Sequence, residues 1–296
     1  MKKIKTLTAL VLSIALFSPL FACSQEVILP ETPPISSNSS ETLPEFSTTP
    51  DIESSSPEAP PSIETPEPPA SSAPPVSSVP ETPTSTQAQY IRCIGTNVNI
   101  RSGAGTDFAV LGKAETGTMY AIIGKTGNWY KTYYRNKIAY VYAEYASVFT
   151  LETAENDEVE DVIEEGYKLI GVPYVYGAVR LHDGNGKLLS GFSAQKFDCS
   201  SLIQYIFYHG AGTLLNVTTR TQVKQGKFVK RSELQRGDCI FFTNAERQHK
   251  TGVERIGHVA IYLGDNYILH TASDYARIEP ISEKRWSYYV EARRFV

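Results

Sequence analysis

Apolar residues cluster from Leu7 to Leu20, thin out over residues 24–88, and return after Tyr90 with two different periods. The first period is two. Short β-type runs broken by Gly and Asn occupy Asn97–Gly103, Ala109–Gly112, Thr118–Gly124, Asn128–Lys131 and Ile138–Val141. Five strands at this spacing predict a small closed barrel. The pattern then becomes helical: Val159, Val162, Ile163, Tyr167 and Ile170 share one face between Glu155 and Ile170, with Gly171 as a stop. A second helix is predicted from Leu202, Ile203, Ile206 and Phe207, capped by Asp198 and stopped by Gly210. Beyond it the period returns to two. Leu234–Phe242 reads as a turn into a buried strand, and Gly257–Asp265 alternates up to a Gly-Asp-Asn turn that leads into Tyr267–Ala272. That pair is a hairpin with His258 on one strand and His270 on the other. A helix followed by antiparallel strands is α+β.

The candidate chemistry sits where the second helix begins. Cys199 falls in its first turn, where unpaired N–H groups and the positive end of the helix dipole favour a thiolate. The segment alone equally fits a buried structural cysteine. A cysteine nucleophile needs a base within reach and a third group to hold that base, so the histidines matter. His182 and His249 lie in polar, Gly/Lys-rich segments and read as exposed loop residues, while His209 closes the helix as a capping group. His258 and His270 share the hairpin and fit a Cys–base–orienter set. A metal site built from Cys239, His258 and His270 lacks any close-spaced ligand pair, so no metal or cofactor is expected.

Charge and composition divide the chain further. Between Ser24 and Tyr90 there are ten acidic residues, no Lys or Arg, and 15 of the 18 prolines. Such a segment cannot bury enough surface to offset its ordering entropy, and residues 23–88 read as a disordered tether. Fully extended it would reach roughly 200 Å. From Tyr90 onward 25 basic residues face 22 acidic ones, too even a balance to suggest nucleic acid. Residues 1–22 read as an export signal, with Lys2, Lys3 and Lys5 ahead of the apolar core. The ending Leu20-Phe21-Ala22-Cys23 resembles a bacterial lipoprotein signal, which implies lipidation of Cys23 and a place on the outer face of the cell membrane. Cys93, Cys199 and Cys239 then remain. An odd number in an exported chain argues against a disulfide framework.

Two resemblances complete the reading. Asn97–Gly103, Gly112-Lys113 and Asn128-Trp129-Tyr130-Lys131 resemble a bacterial SH3 domain over residues 89–150, which implies binding to cell-wall peptide or packing beside a catalytic domain. Its tyrosines, Tyr133, Tyr134, Tyr140, Tyr142 and Tyr145, suit either a binding face or core and rim. Cys93 reads there as a plain strand residue. Gly171-Val172-Pro173-Tyr174, Phe197-Asp198-Cys199-Ser200, the Arg236-Gly237-Asp238 turn, and Gly257–Asp265 with His270 resemble the NlpC/P60 family of papain-like cell-wall cysteine peptidases, over residues 151–296.

The second resemblance implies Cys199 as nucleophile, His258 as base, His270 as its orienter, and Tyr174 near the nucleophile as part of the oxyanion site or substrate cleft. It places Asp198 and Ser200 where relatives hold the free amine end of a stem peptide, and Arg220 at the family's basic position. The implied reaction is hydrolysis of the bond between D-γ-glutamate and the following diamino acid in peptidoglycan stems. The implied partners are that stem peptide and, through Cys23, a membrane; the chain is expected to act as a monomer. Departures from the pattern are Ser201 for glycine, Tyr176 for tryptophan, Cys239 for leucine (read as a small buried hydrophobe), and an insertion over 180–196 that could reshape the cleft. An N-acetylmuramoyl amidase, an acyltransferase and a non-catalytic wall-binding lipoprotein are the alternatives.

Overall fold

The computed structural model of the chain describes residues 87–296. The export signal, Cys23 and the tether up to residue 86 lie outside the described residues. Eight strands come first: β1 (Gln87–Cys93), β2 (Val98–Arg101), β3 (Val110–Ala114), β4 (Met119–Ala121), β5 (Gly124–Thr126), β6 (Trp129–Tyr134), β7 (Lys137–Tyr142) and β8 (Ala146–Glu152). They pair antiparallel in two sheets, β4-β1-β8 and β3-β2-β7-β6-β5. The pattern predicted five strands and missed β1, β5 and β8. Tyr90 and Ile91 of β1 are both buried, so that strand shows no alternation, and β5 is Gly-Lys-Thr with nothing apolar to mark it. Gln87 and Ala88, read from composition as tether, instead pair with Glu152 and Leu151 of β8.

The remaining elements are α1 (Asp157–Lys168), α2 (Cys199–Ala211), α3 (Thr219–Gln222), β9 (Lys227–Val229), β10 (Cys239–Phe242), β11 (His258–Gly264), β12 (Tyr267–Ala272), β13 (Tyr275–Pro280), α4 (Glu283–Ser287) and β14 (Tyr289–Arg294). The strands form one antiparallel sheet in the order β13-β12-β11-β10-β14-β9. The β11–β12 turn is the expected one, with Asp265 and Asn266 at φ 44° and 67°. Cys239 is fully buried in β10, and Cys93, Cys199 and Cys239 are all free thiols. No helix among the described residues is long and apolar enough to cross a membrane.

Helix α2 begins at Cys199, and its ends explain themselves. Asp198 accepts the Ser201 N–H at 2.9 Å, and the Ser201 hydroxyl accepts the Asp198 N–H at 2.9 Å. This reciprocal cap is why a serine can stand at 201: a glycine would forfeit one of the two bonds. Gly210 does not stop the helix. It lies against α1, where an added Cβ would meet Val162 Cα at 2.4 Å, and the left-handed cap falls to Gly212 at φ 63°.

Barrel and α/β portion share one apolar core, and polar bonds fix their junction. The β6–β7 hairpin caps the end of α1: Arg135 N–H donates to Ile170 O at 2.9 Å and Asn136 N–H to Lys168 O at 2.7 Å. Arg236 lies deeper. Its Nε and Nη2 donate to the two Glu160 carboxylate oxygens at 2.6 and 2.8 Å, Nη1 to Tyr90 Oη and Leu263 O, and Nη2 also to Tyr167 Oη. All five N–H groups are used. Arg236→Met is therefore expected to leave Glu160 and two tyrosine hydroxyls short of a partner and to cost about 3–5 kcal/mol. A urea titration of the full chain would show this as a lower midpoint; an unchanged midpoint would count against the junction's importance.

Candidate active site

Two lobes of one cleft meet at Cys199. The first, about 590 Å3, is lined by Tyr174, Arg180, Asp198, Cys199, Ser200 and Arg220, among others. The second, about 410 Å3, again includes Tyr174 and Cys199 and adds His258 and Arg285. A larger cavity of about 870 Å3 lies on the barrel beside Trp129, Tyr142 and Tyr145, but it holds no nucleophile or base. An extended chain crossing from lobe to lobe would present one bond to the sulfur.

Helix α2 sets the position of Cys199, and β11 sets what surrounds it. The N–H groups of Ser200 and Val259 both point at the sulfur, and Val259 is the residue after His258. The sequence led us to expect a favoured thiolate here. The structure corrects this: burial, helped by the neighbouring Asp198 charge, pushes the Cys199 thiol up to about 12 against the pull of those two N–H groups and Arg180. The helix start offers about half a charge, whereas loss of water acts on a full one. Cys199 therefore rests as a thiol, and any attack by its sulfur would require loss of that proton.

His258 lines the same lobe as Cys199. His258 Nε2 lies 2.9 Å from His270 Nδ1, and His270 Nε2 lies 2.9 Å from Glu279 Oε1. The last approach is oblique, an ion-pair distance with poor hydrogen-bond alignment. Register explains the grouping: His270 and Ile268 share a face of β12, and Ile268 pairs with Glu279 of β13, so Glu279 is the diagonal neighbour of His270. Arg285 of α4 donates to the same Glu279 oxygen at 3.0 Å. Burial opposes ionisation of Glu279, yet the adjoining His270 ring and the charges of Arg285 and Arg277 pull the carboxyl down to about 2.

An ionised carboxylate only accepts, which determines each tautomer behind it. His270 must carry its proton on Nε2, so its Nδ1 accepts from His258 Nε2–H. The Nδ1 lone pair of His258 is thereby left as the free base. Sequence reasoning missed Glu279. Its signal was present as a charged residue in the strand Tyr275–Pro280, but the pairing register that brings it to His270 was not.

Burial, then the His270 and Arg285 charges, hold His258 well below its ordinary 6.5; burial also lowers His270, against the pull of Glu279. Both are neutral near pH 7. Below 6.5 the unfolded chain takes up protons that the folded chain refuses, so their contribution to stability is complete above 6.5 and is lost as pH falls toward the folded values. We expect hydrolysis to hold steady from pH 7 to 9 and to decline only on an acid limb below 6.5. An optimum confined to acid pH would contradict this arrangement.

The other expected site residues also converge. Tyr174 borders both lobes, and burial, with the nearby Cys199 and the Asp198 charge, raises its phenol to about 12, so it stays a donor at neutral pH. Arg220 lies 3.5 Å from Glu254 at the cleft wall. Asp198 and Ser200 are buried and bonded to each other at 3.0 Å, and Arg180 reaches both. His249 is exposed as expected, and His209 lies in the last turn of α2. His182 is not the exposed loop residue that its polar neighbours suggested. It is fully buried, its ring 5.3 Å from that of Tyr208, and Gln204 of α2 bonds its backbone N–H and C=O. The insertion is thus anchored on the helix.

Residues 171–294 match the NlpC/P60 family and residues 96–147 match the bacterial SH3 domain. The chain therefore carries both domains. It is 34% identical over 136 residues to the gamma-DL-glutamyl hydrolase of Bacillus subtilis strain 168, covering 45% of this chain and 29% of that protein. It is 31% identical over 136 residues to the peptidoglycan endopeptidase RipA of Mycolicibacterium smegmatis, covering 45% of this chain and 25% of that one. The chain thus spans less than a third of either relative. A crystal structure of an NlpC/P60 family protein from Bacillus cereus aligns with 70% of this chain and 63% of its own, at 20% identity and a TM-score of 0.37.

Proposed function

We propose that this chain hydrolyses peptidoglycan stem peptides at the bond between D-γ-glutamate and the next diamino acid. The observation that carries the reading is the ordered line His258–His270–Glu279 beside Cys199 at the meeting point of two cleft lobes. The names of the relatives, a gamma-DL-glutamyl hydrolase and a peptidoglycan endopeptidase, support the substrate.

The steps follow from the protonation states. As Cys199 Sγ attacks the amide carbon, its proton passes to His258 Nδ1. The resulting imidazolium is stabilised through His270 by the Glu279 charge. Backbone N–H at the start of α2 and the Tyr174 hydroxyl receive the developing oxyanion. His258 then protonates the leaving amine nitrogen, which leaves a thioester on Cys199. Water, deprotonated by His258, attacks that carbonyl, releases the carboxylate and restores the thiol.

The working parts are the barrel over 89–150 and the catalytic portion over 151–296, acting as a monomer. Export and lipidation at Cys23 would place them on the outer face of the membrane within reach of the wall; mass spectrometry of the mature N-terminus tests that. Digesting defined muropeptides and weighing the fragments tests the activity. Release at the γ-glutamyl bond is expected. Cleavage at the muramoyl–alanine bond would make the protein an amidase, and no release would leave it a binder.

A further inference from the structure

The lobe beside Cys199 contains a carboxylate that has already been used. Asp198 Oδ1 accepts from the Ser201 N–H at 2.9 Å and the Ser200 hydroxyl at 3.0 Å. Its Oδ2 accepts from the Gly177 N–H at 3.2 Å and pairs with Arg180 Nη2 at 2.8 Å. Four donors fill the four lone-pair positions of a carboxylate. Arg180 is held in turn: Nε donates to Val217 O at 2.8 Å, Nη1 to Ala178 O, and Nη2 also to Ser200 Oγ at 2.9 Å. Its side chain is only 18% exposed, so swinging it aside would break several bonds at once. Among the described residues, two lining arginines, Arg220 and Arg247, both pair with Glu254. Glu246, exposed at the rim, is the one lining acid with no arginine against it there, and solvent screens it.

An ammonium entering this lobe would find no open carboxylate at its floor and would meet a fixed guanidinium. We propose that Arg180 makes the lobe select stem peptides whose amino end is acylated, as in a stem still joined to its sugar, and reject those with a free α-amine. This rests on the peptidase reading for the identity of the peptide, not for the selection itself. Arg180 heads the insertion, so the inserted segment narrows the substrate class rather than only enlarging the fold. Its remaining Nη1–H is free to meet a carbonyl.

The test uses two synthetic peptides, L-Ala-γ-D-Glu-L-Lys-D-Ala with a free amine and the same peptide N-acetylated. Hydrolysis by the full chain should favour the acetylated form by about tenfold or more in kcat/KM. Calorimetric binding to Cys199→Ala should show the same preference without turnover. Adding Arg180→Ala should reduce or reverse that ratio, and Arg180→Lys, which keeps one charge on Asp198, should retain it. Equal or better use of the free-amine peptide by the unmodified protein overturns the proposal even if Arg180→Ala fails to fold. So does a ratio unmoved in a folded Arg180→Ala protein, or no detectable binding of either peptide. Binding with the expected preference but no cleavage would instead overturn the peptidase reading and leave the selection standing.

Discussion

Cys199→Ala is expected to bring stem-peptide hydrolysis down by about 10^4-fold or more while leaving the fold intact. The sulfur is the only atom of the site that can form the thioester, and nothing else in the cleft can substitute for it. Its removal does not touch the helix cap, because that cap is made by Asp198 and Ser201. The lost packing is a single buried sulfur, so the thermal midpoint should move by only a few degrees. Cys199→Ser should be nearly as inactive, since a hydroxyl is still harder to ionise in a site that already holds the thiol at about 12. Peptide release measured by chromatography, with circular dichroism on the same samples, decides it. Retained release by the pure alanine variant would remove Cys199 from the mechanism.

Glu279→Gln is expected to lower kcat by about 10^2- to 10^4-fold with little change in KM. The carboxylate can only accept, whereas an amide nitrogen donates. A glutamine turned toward His270 with its NH2 group would place the His270 proton on Nδ1. That proton would then point at His258 Nε2, and the His258 proton would move to Nδ1, the position needed for the base. The site would be intact in outline and wrong in tautomer. Glu279 touches no substrate in this account; it acts through His270 and is a positioning residue. Glu279→Asp, which keeps an acceptor, should recover part of the rate, and the acid limb of the pH profile should shift in the glutamine variant. Loss of rate equal in both variants, with an unchanged profile, would reduce Glu279 to a structural partner of Arg285.

The proposed catalytic set could be named from the sequence because its signals are local. Asp198-Cys199-Ser200 is a helix start, and His258 and His270 are an alternating hairpin with a turn that only certain residues make. What the sequence hid has one physical cause in each case. Gly210 and Gly212 look alike as helix stops, and only the closeness of α1 shows that the first serves packing. His182 sits among polar residues in the chain, yet its neighbours in space are Tyr208 and Gln204.

The sequence by itself determined the two domains and singled out the residues proposed to carry the chemistry: a cysteine at a helix start, and a base and an orienter on the paired strands of one hairpin. Periodicity and turn chemistry act over a few residues, so a chain read in order contains them. Only the tertiary structure decided the state of those residues. Whether Cys199 rests as thiol or thiolate depends on how much water the surrounding fold removes. Which nitrogen of His258 is free depends on Glu279, brought to His270 by strand register. Whether Asp198 can receive an amine depends on Arg180, eighteen residues earlier in the chain and 2.8 Å away in space. Burial and charge pairing depend on what lies across the cleft, and no local pattern records that.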